Sequence, residues 1–305
     1  MSASKAAGAI NAFIGGEKSG AHRNAQTSSQ LPAAVRFREV EGRGLLVDTW
    51  INGNGPYIFA IDTGAGAMIL SERIARVAGV AIRRNHAVNV GGASVAGSHA
   101  GCEASVRSLA IGNAGNQLSA NGFVIVAGRL PADVDGILNP TEAYAPLGYA
   151  IDLPRREISA FDPRLTPLRI DAIPAEGAVV SWLSDSESRR PFVALTPGGR
   201  RALLDTGSGF GLALSESNAA SFGIIPGNNR GERNIVRDLG GGTISARRID
   251  PATVRVGALL LRKVPTDLLS ETDAAAPILL GRDALRPFRL RFDPLNRLIE
   301  FTPAQ

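Results

Sequence analysis

One cysteine in 305 residues leaves little room for sulfur chemistry: Cys102 alone excludes an intramolecular disulfide and any zinc site built on thiolates. It reads as a small packing residue. Histidine is nearly as scarce. Only His22, His86 and His99 are present, and the thirteen positions separating the last two give no helical pair spacing for a metal. Neither a metal nor an organic cofactor is expected. A serine hydrolase is also disfavoured, because Gly92-Ala93-Ser94-Val95-Ala96-Gly97 misses the nucleophile-elbow spacing by one position. Aromatic residues make up only 5%, and the net charge of +5 rests on arginines whose pairs, such as Arg83-Arg84 and Arg200-Arg201, are scattered along the chain. A nucleic-acid groove would gather such charge among aromatics, so no nucleic-acid partner is expected. No apolar run reaches the roughly eighteen residues of a membrane span.

Nucleotide loops are missing too. Gly15-Gly16-Glu17-Lys18-Ser19 lacks the Gly-Lys adjacency of a phosphate loop, and Gly207-Ser208-Gly209-Phe210-Gly211 lacks the third glycine spacing of a dinucleotide turn. What remains is a chain that is 44% hydrophobic, enough to bury a sizeable core in one domain or two.

Against these absences one pattern occurs twice. Phe59-Ala60-Ile61-Asp62-Thr63-Gly64-Ala65 delivers an Asp from an apolar run, and Ala202-Leu203-Leu204-Asp205-Thr206-Gly207-Ser208 does the same. A single Asp after a core strand is ordinarily a turn residue or a helix cap. Two copies suggest two like lobes packed face to face, with Asp62 and Asp205 side by side at a pseudo-twofold axis. Two touching carboxylates cannot easily both ionise, so they share a proton and hold an acid and a base at once. Such a pair can activate water against a peptide bond without a covalent intermediate. Gly64 and Gly207 permit a tight turn whose N–H groups face the carboxylates, and Thr63 and Thr206 can hydrogen-bond across the seam. Ser208 follows the second glycine where the first loop has Ala65. A serine hydroxyl there can donate to its own Asp, so Asp205 is expected to be the more readily ionised member.

With these motifs the chain resembles a pepsin/retropepsin-like aspartic protease with both lobes on one chain, of the bacterial type. Later in each lobe of that family an apolar-apolar-Gly element crosses beneath the Asp loop. Ile278-Leu279-Leu280-Gly281 matches it in the second half, and Gly136-Ile137-Leu138-Asn139 stands in the first with Asn139 in place of glycine. Asn tolerates a left-handed backbone, which would let the fold survive that change. The resemblance implies an all-β, bilobal acid-protease fold with a few short helices, and an endopeptidase using Asp62 and Asp205. The alternative is an inactive peptide-binding homologue of the same fold. A peptide or protein is the implied partner, and one chain supplies both halves of the site, so a monomer suffices.

Taken in order, residues 1–34 read as a disordered tail or a degenerate export signal, a slight lean towards a periplasmic or exported protein. Residues 35–165 form the expected first lobe, 166–177 the linker marked by Pro167, Pro174 and Gly177, and 178–305 the second lobe. Asn52 to Pro56 reads as a turn between two strands, Ser71 as the cap of a short helix stopped by Gly79, Ser215-Glu216 as the start of a similar helix, and Gly148 to Asp152 and Glu157 to Phe161 as strands pairing around residues 153–156. Gly-rich hairpin tips at Gly91-Gly92 and Gly240-Gly241 are the flap candidates, without a tyrosine in the first. The repeat keeps a nearly constant offset: 143 residues for Asp62 and Asp205, 145 for Gly136 and Gly281 as landmarks, and 141 for Asp152 and Asp293.

Overall fold

The computed structural model describes residues 31–91, 98–118, 122–128, 130, 133–183, 189–225, 233–237, 243–270, 272 and 276–304. The first half runs β1 (Val35–Arg36), β2 (Arg38–Val40), β3 (Gly44–Ile51), β4 (Asn54–Ile61), β5 (Ile69–Ser71), α1 (Glu72–Val77), β6 (Ala81–Gly91), β7 (Ser98–Ser105), β8 (Leu109–Ile111), β9 (Phe123–Ala127), β10 (Gly136–Leu138), α2 (Pro140–Ala143), β11 (Gly148–Asp152) and β12 (Glu157–Phe161). The second runs β13 (Ala178–Ser181), β14 (Phe192–Thr196), β15 (Arg200–Asp205), β16 (Leu212–Ser215), α3 (Glu216–Ala219), β17 (Arg233–Arg237), β18 (Thr243–Val256), β19 (Leu259–Ser270), β20 (Ile278–Gly281), α4 (Arg282–Leu285), β21 (Phe288–Asp293) and β22 (Leu298–Pro303). The molecule is mostly β, as expected. None of the described helices is long and apolar enough to cross a membrane.

Each half builds its own sheet, β2-β3-β4-β10-β5-β9-β7-β6 in the first and β14-β15-β20-β16-β19-β18-β17 in the second. Both sheets centre on one three-strand motif. In the first, β10 lies parallel to β4 and antiparallel to β5; in the second, β20 lies parallel to β15 and antiparallel to β16. Parallel neighbours inside a sheet are buried on both faces, which is why these short strands carry unbroken apolar runs. Phe59, Ala60, Ile61, Leu203, Leu204, Ile278 and Leu280 are all buried. β4 starts exposed and ends buried, so it drives Asp62 into the interior.

The third sheet joins the halves in the order β1-β12-β11-β21-β22-β13. Its central pair is self-complementary: Tyr149 faces Phe292 and Ile151 faces Leu290, while Asp152 and Asp293 close the two strands. That reciprocity marks a pseudo-twofold axis between β11 and β21. The Tyr149 ring stacks on Phe292 at 4.7 Å, and Trp182 meets Phe292 edge-on at 6.0 Å. These aromatics weld the halves through area and ring geometry together.

Several local expectations hold. Ser71 caps α1 by accepting from Ile74 N at 3.3 Å. β11 and β12 pair around residues 153–156 as a hairpin. One needs correction. The turn before β4 is only Asn52-Gly53, both with positive φ, because Asn54, Gly55 and Pro56 already belong to the strand. Ser215 precedes α3 but does not cap its backbone; its Oγ instead lies 2.8 Å from Ser217 Oγ and accepts from Asn218 Nδ2. Residues 1–30, Gly92, Gly240 and Gly241 lie outside the described residues. Gly91 ends β6, which pairs with β7, and β17 pairs with β18, so both hairpin stems exist.

Candidate active site

The register of the two motifs places the Asp residues equivalently. Leu138 lies opposite Ile61 in one, and Leu280 lies opposite Leu204 in the other. Gly281 therefore answers Asn139, 142 positions earlier in the chain, as the match of the two apolar elements has it, and the Gly136 landmark lies three residues before that position. Asp62 N donates to Leu138 O at 2.9 Å, which seats the first loop on β10.

The two loop threonines make four hydrogen bonds across the seam. Thr63 N donates to Thr206 Oγ1 at 3.1 Å, and Thr206 N donates to Thr63 Oγ1 at 3.0 Å. Each hydroxyl then donates to the strand of the other half, Thr63 Oγ1 to Leu204 O at 2.6 Å and Thr206 Oγ1 to Ile61 O at 3.3 Å. Both threonines are fully buried, so every one of these groups would be costly to leave unpaired. Thr63→Val strips a partner from Thr206 N and from Leu204 O while keeping shape. We expect a loss of about 2–4 kcal/mol of unfolding free energy, measured by urea denaturation, with an unchanged m-value.

The carboxyls sit directly above this grip. Asp62 Oδ1 accepts from Gly64 N at 2.7 Å and from Ala65 N at 3.1 Å. Asp205 Oδ1 accepts from Ser208 N at 3.0 Å. The two side chains are hydrogen-bonded to each other. The glycines are required by contact across the seam. A Cβ on Gly64 would lie 2.7 Å from Asp205 Oδ1, and one on Gly207 would lie 2.5 Å from Asp62 Oδ2. Neither glycine has a positive φ. The need is for space beside the opposite lobe's carboxyl, a reason local sequence does not reveal.

Burial raises both carboxyls above the ordinary carboxylate range. For Asp62 the hydrogen bond from Asp205, the N–H groups of Gly64 and Ala65, and the charge of Arg282 partly offset that penalty. Asp205 is pushed well up, by burial and then by the negative charge of Asp62. The pair therefore holds a proton above the ordinary carboxylate range, with Asp205 the more strongly raised member. That direction runs against the expectation drawn from Ser208, and so do the contacts of Ser208. The hydroxyl that was to favour ionised Asp205 instead accepts from Phe210 N at 3.3 Å, and only the backbone N–H of Ser208 reaches the carboxyl.

Arg282 has no role expected from the sequence. It is buried, and its Nη1 donates to Thr206 O at 2.7 Å and to Gly207 O at 2.9 Å. Its Nε lies 3.8 Å from Glu39 Oε1, and Arg286 Nη2 reaches the same carboxylate oxygen at 2.9 Å. A cation from the second half is thus tied to the second Asp loop and to an anion on β2 of the first. Its only local signal is a charged residue immediately after an apolar-Gly strand.

The chemistry of the arrangement matches the comparisons with known proteins. Residues 47–134 match the family model described as "gag-polyprotein putative aspartyl protease", a span that includes Asp62-Thr63-Gly64. No curated protein sequence matches the chain significantly. Among solved structures, the crystal structure of aspartic proteinase from Irpex lacteus is similar with a TM-score of 0.60 at 14% identity, covering 90% of this chain and 97% of that one. At that identity the likeness speaks for the fold, which spans both halves. The first lobe is thus similar to a retropepsin-like aspartyl protease family over residues 47–134, and the chain as a whole has the two-lobed fold of a pepsin-like aspartic proteinase.

Proposed function

We propose that the protein is an aspartic endopeptidase in which Asp62 and Asp205 activate one water molecule against a peptide bond. The observation that carries this reading is the buried carboxyl pair meeting across the seam, each carboxyl against the other loop's glycine and held by the threonine grip. Ionised Asp62 takes a proton from water as its oxygen bonds to the scissile carbonyl carbon. Asp205 gives its proton to the carbonyl oxygen, forming a neutral tetrahedral diol. The C–N bond then breaks as the proton held on Asp62 passes to the leaving nitrogen, and a diol hydroxyl returns a proton to Asp205. The paired stems β6–β7 and β17–β18 support the reading of two flap hairpins. Both Asp loops come from one polypeptide, which supports a monomeric enzyme.

The test is digestion of a diverse peptide pool from acid to neutral pH, read by mass spectrometry, beside calorimetric binding of a statine-like peptide. Cleavage blocked by that inhibitor is expected. Inhibitor binding without cleavage would favour a peptide-binding homologue instead, and neither binding nor cleavage would sink the reading.

The pH dependence follows from the direction of the shifts. Activity is lost in acid as Asp62 takes up a proton, and lost in alkali as the shared proton leaves. Stability has the opposite bias to an ordinary ion-paired carboxylate. A carboxyl raised in the folded state favours folding below its unfolded value and loses that contribution as pH rises through its folded value. Asp205→Asn is therefore expected to melt at a higher temperature than wild type at pH 7. The gain should shrink as pH falls towards the ordinary carboxylate value of 3.8, and scanning calorimetry across that range checks it.

A further inference from the structure

The two Asp loops are held from behind by unlike chemistry. In the second half the support is backbone. Arg282 N donates to Ser208 O at 3.0 Å, just after Gly281. Gly281 is glycine because a Cβ there would meet Phe210 O, with Ser208 O at 3.0 Å. Its φ of −98° demands no left-handed conformation. By the register above, the residue answering Arg282 in the first half is Pro140, and the carbonyl answering Ser208 O is that of Ala65. Proline has no N–H to give. The bond that supports the second loop has no backbone donor in the first.

Asn139 occupies the vacancy. It is 2% exposed, and its Nδ2 donates to Ala65 O at 2.9 Å. Its Oδ1 accepts from Thr141 N at 2.9 Å and caps α2. Both ends of the amide are used, which sets its orientation. Its backbone is extended, with φ −80° and ψ 109°. The sequence-based reason for Asn here, tolerance of a left-handed backbone, is therefore wrong: the position needs the side chain.

We propose that Asn139 is a positioning residue of the first Asp loop, its amide replacing the donor that Pro140 lacks and so keeping the Ala65 N–H on Asp62. The inference rests on the reading of Asp62 and Asp205 as the working pair. The charged groups facing Asp62 are Asp205 across the seam and Arg282 behind Gly207, and the variants below change neither.

The test uses the full chain. Asn139→Ser keeps a neutral N-cap but cannot reach Ala65 O. Its Asp62 carboxyl is followed by ¹³C NMR through a pH titration, a readout that needs no turnover and so stays separate from the question of whether the protein cuts peptides. The midpoint is expected to rise by about half a unit, with the circular dichroism spectrum of the folded protein retained. On a cleaved peptide, kcat should fall about tenfold with KM unchanged. Adding Pro140→Ala supplies a backbone N–H where Arg282 has one, and should restore most of the shift. An unmoved Asp62 midpoint in Asn139→Ser overturns the proposal, and so does a shift that Pro140→Ala leaves in place. If Asn139→Ser does not fold, Asn139→Asp retains the cap acceptor and removes the same donor, and an unmoved midpoint there overturns the proposal equally.

Discussion

Asp62→Asn is expected to lower kcat by about 10⁴-fold or more, with KM within about threefold of wild type. The asparagine oxygen still accepts from Gly64 N and Ala65 N, so the loop keeps its geometry. What is lost is the ability to take a proton from water. Asp205→Asn should fail equally for the opposite reason: its amide occupies the place of the protonated acid but has no proton to transfer. Steady-state kinetics on one cleaved peptide, with circular dichroism to confirm folding, separates these effects from misfolding. Either variant retaining a tenth of wild-type kcat would end the two-carboxylate mechanism.

Gly207→Ala is the second large effect, and it acts across the seam. The added methyl would lie 2.5 Å from Asp62 Oδ2 and 2.6 Å from Oδ1, closer than any real contact. The carboxyl of the other half must swing away or the lobes must part. A displacement near 1 Å at a catalytic group costs on the order of 100-fold, so kcat/KM should fall by at least that much. Gly64→Ala should behave alike, through Asp205. Gly66→Ala provides the control, because nothing lies within 4 Å of its Cβ and its φ is ordinary. That variant should stay within about twofold of wild type. Equal activity in Gly207→Ala and Gly66→Ala would show that the carboxyl does not sit over the glycine.

Much of this site was legible as pattern. The doubled Asp-Thr-Gly, the apolar strands that precede it and the near-constant offset all lie within short stretches of chain, and local order reports them. The same holds for the helix capped by Ser71 and for the hairpin from β11 to β12. The errors share one physical origin. Left-handed backbone at Asn139 and a Ser208 hydroxyl on Asp205 were each inferred from a residue's intrinsic preferences. Each was decided by what a distant segment placed beside it.

The chain's own order determined that there are two like halves, that each ends a buried strand on an Asp, and that sulfur, histidine and nucleotide chemistry have little to build with. Those properties depend on composition and on neighbours a few residues apart. The folded molecule alone decided that burial raises both carboxyls, why two glycines admit no side chain, and how Asn139 and Arg282 support unlike loops. Those outcomes depend on desolvation, contact and charge among groups more than 70 positions apart, and such proximity exists only after the halves have closed on each other.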